Sequence, residues 1–298
     1  MKKIMNVLVI TIMMVITNKV NAQWVQTNGP LGGAIGCFAV KTDTIFTGTV
    51  NDGVYLSTNN GSSWTATNTG LINTSINSLV ISGNKIFAGT TGGVYLSTNN
   101  GSSWTAVNTG LTSTDVWSLA ISPNGDTLYA GTAYGGIFLS TNNGSSWTAV
   151  NNGLSGFNSV IVLSLAISGE NVFASVSGWG VYLSNDNGQL WTAVDDGLSL
   201  SSRNSITSIA ISGTNIFIGT HNGVYLSANN GNNWNHVSNG LANTVVCSLT
   251  ISGNKIFAGT YSGVYLSTNN GNDWIEADNN LIATRISALA ASGSNIFS

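Results

Sequence analysis

The chain has 298 residues, of which 42% are hydrophobic and only 6% are charged. So large an apolar fraction excludes an intrinsically disordered protein, although Ser, Thr, Asn and Gly are abundant. Eight basic and 11 acidic residues give a net charge of −3, which provides no basic surface for a nucleic acid. We therefore expect a folded protein with no nucleic-acid partner.

The first 22 residues differ in composition from the rest of the chain. Lys2 and Lys3 precede the apolar run Ile4–Thr17, and Val20 and Ala22 place small residues before a cleavage site. This pattern predicts a secretory signal peptide over residues 1–22, because the run is short for a membrane span. An uncleaved anchor is the alternative. Cleavage after Ala22 would leave a net charge of −6 and a secreted, periplasmic or cell-surface protein without a membrane span.

An eight-residue phrase, STNNGSSW in its commonest form, occurs six times. Its copies are Ser57–Trp64, Ser97–Trp104, Ser140–Trp147, Ser184–Trp191, Ser227–Trp234 and Ser267–Trp274. Trp24 lies 40 residues before the first of these tryptophans, and successive copies are 40–44 residues apart. This period is typical of β-propeller blades, each a four-stranded sheet. We predict a single all-β propeller domain over residues 23–298.

The second repeat shows the strand pattern of one blade. Short apolar runs at Ile76–Ser82, Lys85–Thr90 and Gly93–Ser97 are separated by Gly and Asn turns, and a fourth run begins at Trp104. This pattern predicts an antiparallel meander. A lone sheet of this kind leaves two apolar faces uncovered, so neighbouring blades must cover them.

The ends of the chain suggest how the ring closes. Innermost strands are predicted to begin near Ile35, Ile76, Val116, Val162, Ile206 and Val246. A seventh would begin near Arg285, with its second strand at Asn295, and Trp24-Val25-Gln26 could supply an outer strand. We therefore predict a seven-bladed propeller of four-stranded antiparallel blades, with six complete blades and a seventh that is closed by the N-terminal strand and lacks its third strand in this sequence. On this interpretation the sequence stops within the seventh blade, and more would follow Ser298.

The repeated phrase resembles the Asp-box, or bacterial neuraminidase repeat, whose pattern is S-x-D-x-G-x-x-W. The resemblance implies a hairpin turn between the third and fourth strands, with an acidic side chain capping backbone amides and an aromatic side chain packed into the blade. It assigns these structural roles to Asn59, Asn99, Asn142, Asp186, Asn229 and Asn269, and to Trp64, Trp104, Trp147, Trp191, Trp234 and Trp274. Asn can also accept a backbone hydrogen bond, so the turn is expected to form in every copy. A calcium site is not expected, because five of the six copies lack the acid.

A second resemblance concerns Gly110–Thr132. This segment is similar to propeller repeats in the periplasmic sensor halves of bacterial two-component regulators, and to photosystem II assembly-factor propellers. Both similarities imply a non-catalytic propeller that interacts with other molecules. We accordingly expect a monomer that binds no cofactor.

The charged residues limit the possible enzymes. Sialidases bind a substrate carboxylate with three arginines, but this chain has only Arg203 and Arg285. Other glycosidases need two carboxylates about 5–9.5 Å apart. Asp52 and Asp115 are the pair that could lie on one face of the ring, and they define a glycoside hydrolase as the alternative function.

Metal and thiol chemistry receive little support. His221 and His236 are the only histidines, and we predict them at opposite ends of one blade, so no metal site is expected. Cys37 and Cys247 fall on inner strands of non-adjacent repeats. They are interpreted as two buried free thiols, unless the ring brings them close enough for a disulfide.

The loops between second and third strands vary around constant glycines. They present Asp52, Tyr134, Trp179, His221 and Tyr261, and the connections between blades add Trp117, Phe157, Arg203 and Arg285. Loops on a rigid scaffold commonly carry binding sites, and exposed aromatic rings suit sugar faces or protein hot spots. Apart from Asp52, these residues are predicted to bind a cell-surface or extracellular protein or glycan. The alternative for each aromatic is ordinary packing between blades.

Overall fold

The computed structural model describes residues 24–27, 29–30, 33–154, 160–279, 281 and 285–298. The predicted signal peptide lies outside these residues. Three antiparallel sheets of four strands come first. Blade one contains β1 (Ile35–Lys41), β2 (Thr44–Thr49), β3 (Val54–Ser57) and β4 (Thr65–Ala66). Blade two contains β5 (Ile76–Ser82), β6 (Lys85–Thr90), β7 (Gly93–Ser97) and β8 (Thr105–Ala106). Blade three contains β9 (Val116–Ile121), β10 (Leu128–Thr132), β11 (Gly136–Ser140) and β12 (Thr148–Ala149).

Three further sheets repeat this arrangement, and one short helix precedes the fifth. Blade four contains β13 (Val162–Ser168), β14 (Asn171–Val176), β15 (Gly180–Ser184) and β16 (Thr192–Ala193). The helix α1 (Leu200–Arg203) leads to blade five, which contains β17 (Ile206–Ser212), β18 (Asn215–Thr220), β19 (Gly223–Ser227) and β20 (Asn235–His236). Blade six contains β21 (Val246–Ser252), β22 (Lys255–Thr260), β23 (Gly263–Ser267) and β24 (Ile275–Glu276). A two-stranded sheet, β25 (Ala290–Ser292) and β26 (Asn295–Phe297), follows.

The second strand of each blade is apolar on both faces because it packs against two neighbouring blades. In β6, Ile86 and Ala88 belong to the core shared with blade one, whereas Phe87, between them, belongs to the core shared with blade three. Successive side chains of a strand point to opposite faces, so the sequence KIFAGT contributes to two cores at once. The inner strands line the centre, where a cavity of about 360 Å³ lies between blades one to four.

The box turns, as we call the six copies of the repeated phrase, share one hydrogen-bond pattern. In the second copy, Asn99 Oδ1 accepts from the Ser103 amide at 2.9 Å, and Ser97 Oγ accepts from the Gly101 amide at 2.9 Å. Asn100 between them has a positive φ of 55°, a conformation that Asn tolerates better than most residues. The turn is therefore closed by its own side chains.

The box tryptophans link each blade to the one before it. Trp104 donates from Nε1 to the Thr67 carbonyl at 2.7 Å and from its backbone amide to the Thr69 carbonyl at 2.9 Å. Gly70 has φ +83°, and a Cβ there would collide with the Trp104 carbonyl oxygen. The same contacts recur at four further pairs of neighbouring blades. The tryptophan thus packs between blades and not only within its own.

The prediction of seven blades is wrong, because the described residues form six four-stranded blades. The two-stranded sheet of β25 and β26 lies between β21 of blade six and β1 of blade one. Trp24 donates from Nε1 to the Ala277 carbonyl at 2.6 Å, but residues 24–27 form no strand. A fourth strand pairs only with a third, and no described residue supplies a third strand beside β26. The predicted N-terminal strand therefore has no pairing partner within the part of the chain that the structure describes.

Candidate ligand-binding face

The loops between second and third strands and the connections between blades form one surface. Gly53 donates its amide to the Thr74 carbonyl at 2.9 Å, and Thr74 Oγ1 donates to the Asn51 carbonyl at 2.7 Å. Blades three and five contain similar bonds. We call this surface the loop face: it comprises the loops 50–53, 91–92, 133–135, 177–179, 221–222 and 261–262 with the adjoining connections and strand ends.

Exposed apolar side chains are concentrated on the loop face. Ten large hydrophobic side chains are exposed among the described residues, and seven of them lie there: Val50, Ile72, Trp117, Tyr134, Trp179, Leu200 and Tyr261. The remaining three, Val25, Leu190 and Ile275, lie elsewhere. All four exposed aromatics among the ten belong to the loop face, and clustered apolar exposure marks interaction sites more often than scattered residues do.

Trp117 was predicted to lie on a connection between blades. It lies instead on the inner strand β9. It is the bulged residue of β9, because Val116 pairs with Thr132 while Ser118 pairs with Gly131. A bulge redirects a side chain that would otherwise follow the pleat. The Trp117 side chain is 43% exposed at the loop-face end of the strand. The position of Trp117 on the bulge could not be predicted from the sequence, because a bulge does not alter the hydrophobic pattern around it.

Tyr134 has the most unusual backbone on the loop face. Its φ is +67° and its side chain is 72% exposed. Such a conformation is uncommon for a bulky residue and is found where the surroundings enforce it. Here Ala133 donates to the Asp115 carbonyl at 2.8 Å, and Gly135 accepts from Asn151 Nδ2 at 2.9 Å. The loop is held on both sides of Tyr134.

The two arginines contact neighbouring groups on the loop face. Arg285 lies over the Tyr261 ring, with Cζ 4.6 Å from the ring centroid, which is within the range of a cation–π contact. Arg203 forms an ion pair with Asp195, Nε to Oδ2 at 3.2 Å. Burial raises the pKa of the Asp195 carboxyl, and the Arg203 charge opposes this effect. Arg203 is therefore neutralised by a neighbour.

The other predicted ligand-binding residues are placed as follows. Trp179 is 48% exposed, and its amide donates to the Val176 carbonyl at 2.9 Å. His221 is exposed, and its carbonyl accepts from Thr244 Oγ1 at 3.2 Å. Phe157 lies outside the described residues. The two histidines are closer than predicted, because His236 Nε2 contacts the carbonyl of Asn222 at 2.9 Å, beside His221.

Asp52 and Asp115 belong to different parts of the loop face. Asp52 is exposed in the loop of blade one, which contacts the connection to blade two. Asp115 lies at the entry to blade three, and the loop of blade two, 91–92, comes between these segments in the ring. No contact between the two aspartates is found among the described residues. One oxygen of Asp115, Oδ1, is buried, and no described group donates a hydrogen bond to it.

Neither cysteine forms a disulfide. Cys37 and Cys247 are free thiols, and burial raises the pKa of Cys37 to about 12. Across the described ranges, no group of three or more His, Cys, Asp or Glu side chains is arranged to hold a metal ion. The described residues also contain no helix long and apolar enough to span a membrane.

A recurring residue that fixes the loops escaped the sequence prediction. Asn68 Oδ1 accepts from the Val54 amide at 2.7 Å, while its Nδ2 donates to the Asp52 carbonyl at 2.9 Å. Asn151 does the same for Ile137 and Gly135 in blade three. The signal was present in the sequence as a polar residue two positions before a glycine, after five of the six box turns. These side-chain bonds hold the loops of the loop face in place, in addition to the bonds between the loops and the connections.

Residues 23–162 match the profile of a family described as the DUF6242 beta propeller domain. A search of the curated proteins finds none that matches the chain. Among solved structures, an ancestral GH74 enzyme is similar, with 25% identity, a TM-score of 0.65 and coverage of 82% of this chain but 38% of that enzyme. The chain thus spans about two fifths of that enzyme's length.

Two further structures are similar at lower identity. The extracellular domain of a proposed hybrid two component system from B. thetaiotaomicron is 19% identical over 91% of this chain and 37% of that one, with a TM-score of 0.71. YCF48 from Cyanidioschyzon merolae is 16% identical over 91% and 93%, with a TM-score of 0.68. Such similarities show the fold alone. Together with the six four-stranded blades, they establish this chain as a β-propeller.

Proposed function

We propose that this chain is a secreted, monomeric β-propeller that binds an extracellular or cell-surface protein or glycan through its loop face and catalyses no reaction. The observation that carries the proposal is that the four exposed aromatics found among the described residues all lie on this face. The loop of Tyr134 is held by hydrogen bonds on both sides, and the amides of Trp179 and Tyr261 donate to the Val176 and Val245 carbonyls. A rigid aromatic surface loses little entropy on binding, and aromatic anchors dominate binding energies.

A glycoside hydrolase remains the alternative, because the chain is similar to an ancestral GH74 enzyme. It would use Asp52 and Asp115 as acid and base. The placement of blade two's loop between the segments that carry them does not favour this role, since the two carboxylates must flank one bond. The non-catalytic proposal agrees better with this arrangement.

The test combines binding and hydrolysis. The mature chain is applied to a glycan array and a peptide array, and the best ligands are measured by calorimetry. Trp179→Ala and Tyr261→Ala should each weaken binding by about fivefold or more, since an anchoring aromatic contributes at least about 1 kcal/mol. Ile275→Ala, an exposed apolar residue off the loop face, is the matched control and should leave affinity unchanged.

Hydrolysis of any bound glycan is followed in parallel. Loss of such an activity in folded Asp52→Asn or Asp115→Asn would replace the proposal with the hydrolase. A wild-type chain that binds nothing on either array would contradict it outright. Weakening by Ile275→Ala equal to that by Trp179→Ala would place the binding surface elsewhere.

A further inference from the structure

Charge is distributed unevenly over the loop face. We call its part on blades one to three the acidic half: it comprises the loops 50–53, 91–92 and 133–135, the connections 67–75 and 107–115, and the adjoining strand ends. This half carries Asp52 and Asp115 but no Lys, Arg or His. Lys41 and Lys85, the basic residues of these three blades, lie at hairpins between first and second strands, at the opposite end of the blades. The charge of the acidic half is therefore negative throughout.

Neither carboxylate of the acidic half has a cationic partner among the described residues. Asp52 is exposed and Asp115 is half-buried. The ion pair found in the described part of the chain joins Arg203 to Asp195, between blades four and five. Unpaired carboxylates on one surface produce a negative potential that attracts cations. Asp52 can meet such a cation directly, and the charge of Asp115 adds to the same potential.

Exposed apolar side chains surround these charges. They are Val50, Ile72, Trp117 and Tyr134, and Ile72 has the largest exposed fraction of the ten exposed large hydrophobic residues, 89%. Two of the four are aliphatic. An aliphatic side chain offers a sugar ring no aromatic face to stack on, whereas it gains from burial against the apolar side chains of a protein. This mixture of aliphatic and aromatic exposure favours a protein partner over a glycan.

Hydrogen bonds join the acidic half into one surface. Thr74 Oγ1 donates to the Asn51 carbonyl at 2.7 Å, and Thr91 Oγ1 donates to Asn73 Oδ1 at 3.2 Å. These bonds link the loop of blade one, the connection that follows it and the loop of blade two. A further bond, from a serine hydroxyl to a carbonyl at 2.5 Å, links the loop of blade three to the connection before it. The surface is thus formed before a partner arrives, which lowers the entropy lost on docking.

The negative charge also distinguishes between kinds of protein partner. A symmetric contact between two copies of this chain would use the same patch on both, and would place the carboxylates of one acidic half against those of the other. Like charges across an interface oppose association. A different protein with Lys or Arg beside apolar side chains matches both features, because its cations pair with the carboxylates and its apolar side chains cover the exposed hydrophobic residues.

We infer that the acidic half docks a protein segment in which basic and apolar side chains are interspersed, with Asp52 facing a cation and with Ile72, Trp117 and Tyr134 covered by the partner. The inference rests on the proposed function and deepens it, since it names the class of partner and the part of the loop face that receives it. The attraction is partly electrostatic, so binding weakens as salt screens the carboxylates.

Three synthetic peptides of equal length test the class of partner. The first carries Lys and Leu, the second carries Glu and Leu, and the third carries Lys and Ser, at the same positions. Fluorescence anisotropy with the mature chain should show that the Lys–Leu peptide binds at least about tenfold more tightly than either of the others. A tenfold rise in salt should weaken its binding by at least about threefold.

Variants of the chain test the place of binding. Ile72→Ser and Tyr134→Ala should each weaken binding of the Lys–Leu peptide at least about threefold. Asp52→Asn should weaken it about two- to fivefold and reduce its dependence on salt. The matched controls are Ile275→Ser, which changes an exposed aliphatic residue off the loop face, and Asp43→Asn, which removes an exposed acid at the opposite end of blade one. Both controls should bind as wild type does.

The other outcomes separate this inference from the proposed function. Equally tight binding of the Glu–Leu or the Lys–Ser peptide would overturn the inference, and so would equal losses in Asp43→Asn and Asp52→Asn. Self-association in sedimentation velocity that Ile72→Ser abolishes would overturn it in favour of a second copy. Glycan binding that Trp179→Ala weakens, with no binding of the three peptides, would overturn it and leave the proposed function standing. A wild-type chain that binds neither peptide nor glycan would contradict both.

Discussion

The box turns and the loop of blade three solve the same backbone problem with different residues. Each box turn places an asparagine in the left-handed region, with φ between 55° and 59°. On the opposite face, blade three places Tyr134 there, at 67°. Asn is enriched in this conformation, whereas a bulky side chain is strained by it.

This difference distinguishes residues that suit the turn they occupy from a residue that does not. The box turns repeat because every blade needs the same turn and the same tryptophan link, so local propensity and fold agree. Tyr134 opposes its local propensity, and no packing role compensates, since its side chain is mostly exposed. Conflicts of this kind concentrate at functional sites. The comparison therefore agrees with a structural role for the box turns and with the ligand contact that we propose for the loop face.

The largest expected loss of stability comes from removing a box tryptophan. Trp104→Ala should lower the free energy of unfolding by about 3–5 kcal/mol, the usual loss for truncating a buried large aromatic. Trp104 is only 4% exposed, and it also loses its bond to the Thr67 carbonyl. Urea denaturation followed by circular dichroism measures the change.

The matched control is Trp64, which occupies the same position in blade one. It is only partly buried, and no described group accepts a hydrogen bond from its Nε1. Trp64→Ala should therefore be clearly less damaging than Trp104→Ala. Equal losses would mean that the link to the preceding blade adds nothing to stability.

A smaller loss is expected at the glycine that admits the tryptophan. Gly70→Ala should cost about 3 kcal/mol, because the new Cβ meets the Trp104 carbonyl oxygen and the backbone is left-handed. Gly83→Ala is the control, since Gly83 also has a positive φ but nothing lies within 4 Å of its Cβ position. It should cost only about 1–2 kcal/mol. Thermal melting of both variants decides whether the close approach between blades matters beyond the turn itself.

On the loop face, one substitution is expected to raise the free energy of unfolding rather than lower it. Tyr134→Asn should raise the free energy of unfolding by about 0.5–1 kcal/mol, because Asn accepts the left-handed conformation at lower cost. Tyr261→Asn is the paired control: its φ is not in that region, and it loses the contact with Arg285, so no gain is expected. Destabilisation by Tyr134→Asn would show that the tyrosine supports the loop after all.

The sequence predicted the blades well because their signals are local. All six inner strands begin at the predicted residues, since glycine and asparagine turns fix the ends of short alternating strands. Closure could not be predicted in this way. Whether residues 24–27 form a strand depends on a pairing partner distant in sequence, and the seven-blade prediction assumed one that the described structure does not provide.

Only part of the candidate site could be predicted from the sequence. Tyr134, Trp179 and Tyr261 could be placed because they interrupt a constant glycine frame. The bulge under Trp117 could not, because two neighbouring strands must be paired before a residue is left over. The proximity of His236 to Asn222 likewise depends on strand register and not on spacing along the chain.

The smallest effect concerns the one box turn that keeps an acid. Hydrogen bonds from the Leu190 amide and the Ser184 hydroxyl lower the pKa of Asp186 below its ordinary value. A carboxyl whose pKa is depressed by folding stabilises the protein above its unfolded pKa, near 3.9, and loses that contribution as the pH falls through the folded value.

Asp186→Asn should therefore melt slightly below wild type at about pH 7, and the gap should close by about pH 2–3. Asn99→Asp should acquire the same pH dependence. At about pH 7 its melting temperature should be close to that of wild type, because either side chain accepts a hydrogen bond from the Ser103 amide. Melting temperatures across this range test both variants. A large loss in Asn99→Asp that calcium restores would show that the box turns hold a cation, and a constant gap between Asp186→Asn and wild type would show that the carboxylate charge does not stabilise the turn.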